Sequence, residues 1–63
     1  MNEEAIRTLV AVWQMEAGRR LAQLRQAQLR RDQYDIEWFM IQVKSANQLA
    51  AKYRRQLKEV SGN

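Results

Sequence analysis

Three carboxylates, Asp32, Asp35 and Glu37, fall within six residues of one another near the middle of the chain, the only close grouping of side chains that could hold a divalent cation. Their spacing matches no calcium loop. The same carboxylates suit the start of a helix, where unpaired backbone N–H groups and the helix dipole favour negative charge, and that explanation outweighs a metal. There is no histidine and no cysteine among the 63 residues, which removes the usual zinc ligands and thiol nucleophiles. The hydroxyls are Thr8, Ser45, Ser61, Tyr34 and Tyr53, none with a base arranged beside it in the sequence. The expectation is therefore a protein that is not an enzyme, with no catalytic residue, cofactor or metal site.

Positive charge is the second chemical resource. The net charge is +4, and residues 17–31 and 38–58 carry Arg and Lys with no acid among them. Lys44, Gln48, Lys52 and Arg55 follow one another at steps of four, four and three, so a helix would carry them along its outer side. Together with Arg19 and Arg25 they are the candidate contacts to an acidic partner, either an acidic protein face or the phosphates of RNA or DNA. Tyr34 and Trp38 could stack on unpaired bases, but both are better suited to packing. A solvated, solubilising surface accounts for much of the same charge, and the arginines of the first half are spread around the helix rather than collected in one stripe.

Recognition by apolar contact is the stronger expectation. Ile36, Phe39, Val43, Ala46, Ala50, Tyr53, Leu57 and Val60 alternate at steps of three and four, the ladder by which one helix pairs with another. A first-half ladder runs through Ile6, Val10, Trp13, Ala17, Leu24 and Ala27, interrupted at Arg20 and Arg31. Projected forward it reaches 34, 38 and 41, out of phase with the second ladder, which begins at 36. A two-residue slip turns the stripe by about 200°, so one continuous helix could not present both ladders to one neighbour. The chain must break between Arg31 and Asp35.

High helix propensity surrounds that break: proline is absent and glycine occurs only at 18 and 62. Asn2 is the expected cap of the first helix, with Glu3 and Glu4 in its first turn, and Asp32 or Asp35 caps the second. Ser61, Gly62 and Asn63 form the expected stop. The fold class is all-α: one domain spanning 1–63, an antiparallel helical hairpin with helices over about 3–31 and 35–60. A reversal near residue 33 would pair positions whose numbers sum to about 66, setting Trp13 against Tyr53, Ile6 against Val60, and Ala17 against Leu49 or Ala50. Gly18, costly inside a helix, would admit a neighbouring backbone or mark a kink.

Each helix also has apolar residues away from its ladder: Ala11, Met15, Gly18, Ala22 and Leu29 on the first, Trp38 and Ile41 on the second. A lone hairpin would leave them in water, and a chain this short is below the size at which one core suffices. The expectation is a homodimer, two hairpins forming a four-helix bundle, with Met15, Leu29, Trp38 and Ile41 as partner or oligomer contacts. In length and plan the chain is similar to small helical-hairpin proteins that dimerise into four-helix bundles, RNA-binding plasmid regulators and secretion co-chaperones among them. That likeness is one of architecture and carries over no site residue. The function expected is that of a protein-binding adaptor, regulator or inhibitor, with RNA or DNA binding as the alternative. The acidic start and the short apolar runs, Leu9 to Trp13 and Trp38 to Ile41, predict neither a signal peptide nor a transmembrane span, and the absence of thiols favours the cytoplasm.

Overall fold

The computed structural model describes residues 2–62 as two α-helices, α1 (Glu3–Arg30) and α2 (Gln33–Val60), folded back on each other as a hairpin. Asn2 caps α1: its side chain accepts a hydrogen bond from the Ala5 N–H at 2.7 Å, and Glu3 and Glu4 occupy the first turn. Asp32 caps α2 by accepting from the Asp35 N–H at 3.2 Å, leaving Asp35 in the first turn. At the far end Ser61 closes α2 and Gly62 takes the left-handed conformation at φ 80°. Asn63, the last residue of the expected stop, lies outside the described residues.

The reversal is tighter than the sequence suggests. Arg31 itself adopts the left-handed conformation, φ 58° and ψ 35°, in place of the glycine that usually ends a helix this way. Its N–H donates to the Gln28 carbonyl at 3.1 Å and the Asp32 N–H donates to the Ala27 carbonyl at 3.2 Å, so two carbonyls at the end of α1 are satisfied within the turn. The Asp32 cap lets α2 begin at Gln33, two residues before the expected start. Cross-helix bonds join Arg20 to Gln42 and Glu3 to Ser61, whose numbers sum to 62 and 64. The expected register of 66 is therefore corrected by about three residues. Ala17 stands level with Ala46, Trp13 with Ala50, and Ile6 with Leu57. Trp13 is thus level with a small residue where Tyr53 was expected, and the buried Ala17 and Ala46 are level with each other.

Both ladders turn inward. Ile6, Ala17, Leu24 and Ala27 of α1 and Ala46 and Ala50 of α2 are buried, while Val10, Trp13, Ile36, Phe39, Val43, Tyr53 and Leu57 are half-buried along the same seam. Val60, the last rung, lies half in water at the open end. The two interruptions of the first ladder each have a structural explanation. Arg31 makes the turn; Arg20 crosses the seam, donating to the Gln42 carbonyl at 3.4 Å, pairing with Glu16 at 3.2 Å and lying 5.9 Å from the Trp13 ring.

This core is thin. Four of its six buried residues are alanines, and the molecule is a rod of 46 × 15 × 13 Å. Its radius of gyration is 14.4 Å, against about 10.6 Å for a globule of the same length. Its accessible surface is 4934 Å², some 700 Å² more than the roughly 4,250 Å² of a compact monomer of this mass.

Candidate interaction surfaces

The heptad phase of each helix, anchored by its buried residues, assigns the remaining side chains to an outer side or to one of two flanks. Met15 and Leu29 point away from α2 on the outer side of α1, 75% and 84% exposed. Ile41 and Tyr34 lie on the outer side of α2, 58% and 78% exposed, and Trp38, 51% exposed, lies beside them toward the flank away from Met40. The hairpin thus does not bring the four expected contact residues together. It holds Met15 and Leu29 on one outer side and a Tyr34–Trp38–Ile41 strip on the other. One flat partner could not cover both sides.

A third apolar area was not anticipated from the sequence. On one flank an open groove of about 600 Å³ runs along α2, lined by Met40, Val43, Lys44, Asn47 and Ala51, with Leu24 of α1 beneath. Met40 is 55% exposed. The groove escapes a sequence reading because Leu24 joins Met40 only once the register is known, and because polar Lys44 and Asn47 disguise the spacing of the strip. The sole sequence signal is the run Met40, Lys44, Asn47 and Ala51 at steps of four, three and four, itself a second ladder.

The cations divide between the two helices. Lys44, Lys52 and Arg55 share the outer side of α2, Lys44 toward the groove flank and Lys52 toward the opposite one, whereas Arg25 and Arg19 lie toward opposite flanks of α1. Arg19 pairs with Glu16 at 3.4 Å, and the Lys52 ammonium lies 5.8 Å from the Tyr53 ring centre. Arg7 and Arg30 are neutralised by Glu3 at 2.8 Å and Asp35 at 3.2 Å. The α2 cations thus share one side, and Arg19 and Arg25 on α1 do not extend it.

The carboxylates near the turn serve the backbone and its neighbours. Asp32 is occupied as the cap, Asp35 by Arg30, and Glu37 accepts from the Gln33 amide at 3.2 Å. Among the described residues no group of three or more potential ligands comes together to hold a metal. Of the hydroxyls, Thr8 donates to the Glu4 carbonyl at 3.1 Å and Ser61 to the Glu3 carboxylate at 3.3 Å, both contacts that tie down helix ends. Among the described residues no helix is long and apolar enough to cross a membrane. Comparison of the chain with protein-family models, with curated proteins and with solved structures gave no match.

Proposed function

We propose that this chain is a non-enzymatic protein-interaction module: a helical hairpin that self-associates as a homodimer and presents a helical surface to another macromolecule, as an adaptor, regulator or inhibitor does. One observation carries the reading. The fold buries mainly alanine while leaving nine large apolar side chains exposed among the described residues, Trp38 and Ile41 with them. Exposed apolar side chains scattered singly are ordinary on a monomer, but a strip of Tyr34, Trp38 and Ile41 at helical spacing is the pattern by which one helix recognises another. Met15 and Leu29 offer a second, smaller contact on α1. The +4 charge would speed encounter with an acidic protein and make that encounter sensitive to salt.

The test uses Trp38→Ala. Trp38 lies outside the buried seam, so helicity should be retained while either the sedimenting mass falls or capture of the native partner is lost. A variant with unchanged mass and unchanged partner capture would refute the reading. Binding to nucleic acid through Arg19, Arg25, Lys44, Lys52 and Arg55 is the rival reading; Lys44, Lys52 and Arg55 share one side of α2, and the separate placement of Arg19 and Arg25 on α1 counts against a continuous track. Titration with generic RNA or DNA at two salt concentrations separates the two: steep loss of binding with salt would support phosphate contacts, and no binding at low salt eliminates them.

A further inference from the structure

We infer that the self-association proposed above, on which this inference rests, uses the groove flank of α2, with two copies related by a two-fold axis passing between Ser45 and Ala46. An interface about a two-fold axis must be self-complementary, because each residue that meets a given partner is met by that partner in return. The strip along this flank has that property. Glu37 and Arg54 are equidistant from the point between residues 45 and 46, and so are Met40 and Ala51, and Lys44 and Asn47.

Laid antiparallel on its own copy, the strip sets Glu37 opposite Arg54, Met40 opposite Ala51 and Lys44 opposite Asn47, each pair formed twice. Opposite charges close the two ends. The flexible Met40 enters the space above a methyl group, and the polar pair sits nearest the axis. All six residues are exposed in the hairpin, and Glu37 and Arg54 make no ion pair within the described residues. Four of the six, Met40, Lys44, Asn47 and Ala51, line the groove itself.

Two further observations agree with a second copy as the occupant. The surplus surface of some 700 Å² over a compact monomer is close to the roughly 800 Å² that each partner buries in a stable interface. Gly18 is the other. A Cβ built there meets nothing within 4 Å, so the glycine answers no need inside the hairpin. Given the observed register, position 18 stands level with the proposed axis, and the heptad phase of α1 turns it to the same flank. In a square of four helices the two copies of α1 would face each other at that point, where the missing side chain lets their backbones approach. The groove flank is then taken by the second copy, and Trp38 and Ile41, which lie away from that flank, remain free for a different protein.

The decisive experiment is charge exchange on the full chain, read by sedimentation over a range of concentrations at low salt, with helicity followed in parallel. Glu37→Arg and Arg54→Glu should each weaken the homodimer by about thirtyfold, since each turns two attractive pairs into repulsive ones. Mixing the two single variants should restore dimers at wild-type strength, as should the double exchange E37R/R54E. Gly18→Leu should leave helicity intact and reduce the mass to that of one chain. Homodimers that ignore the single charge reversals, or that Trp38→Ala dissociates while the charge variants do not, would overturn the assignment of this flank and leave self-association standing. A wild-type chain that stays monomeric at every concentration would overturn self-association as well.

Discussion

Arg31 offers a direct test of how the turn is held, because it is the sole non-glycine residue at positive φ among the described residues. The left-handed conformation costs an ordinary L-residue about 1–2 kcal/mol through the clash of its Cβ with the following carbonyl, and glycine escapes that cost. Replacing Arg31 by glycine also frees the unfolded chain, which returns about 0.4–1 kcal/mol in the opposite sense. The exposed Arg31 side chain makes no ion pair among the described residues, and its charge at the end of α1 is worth a few tenths of a kcal/mol at most in water. The net expectation for Arg31→Gly is a gain of about 0.5–1 kcal/mol, or roughly 4–8 °C in Tm for a domain of this size. Arg31→Ala supplies the control, since it removes the charge and keeps the strain; it should melt at or slightly below wild type. The assay is thermal unfolding followed by circular dichroism at one fixed protein concentration, because association would raise the melting temperature of every variant. If Arg31→Gly melts no higher than Arg31→Ala, the turn is not strained and the reasoning fails.

Ala46→Leu inserts bulk where α2 stands level with Ala17 and should destabilise by about 1–3 kcal/mol, seen as a lower urea midpoint; an unchanged midpoint would mean that the helices do not approach closely there. Asp32→Ala removes the acceptor for the Asp35 N–H and should cost about 1 kcal/mol. Asp32→Asn, which keeps an acceptor, should recover most of that loss in the same denaturation experiment, and an alanine variant as stable as wild type would remove the cap from the account.

The two ladders and the phase slip between them were enough to read the hairpin from the sequence, because burial of a helix seam is a periodic property of the residues themselves. Asn2 and Asp32 were legible for a similar reason, as capping acts within three residues of the cap. The register was not legible. It depends on how many residues the turn uses, and Arg31 makes a turn that residue type alone would assign to glycine. An error of three residues is nearly a full helical turn, so the partners foreseen for Trp13 and Ile6 were misplaced even though both residues lie on the correct face. Exposure of Met15, Leu29, Trp38 and Ile41 followed from the phase of the ladders. Their division between two outer sides became visible only with the helices docked, and the groove at Met40 required Leu24 from the other helix.

The hydrogen bond between Ser61 and Glu3 joins the start and finish of the fold at one pole of the rod. Anything tethered to either end, whether a fluorophore, an affinity handle or a neighbouring domain, is therefore held about 35 Å along the axis from Trp38. Labels can be attached at that pole without shielding the indole, and energy transfer from a terminal dye to a captured protein would report which end of the rod the protein occupies.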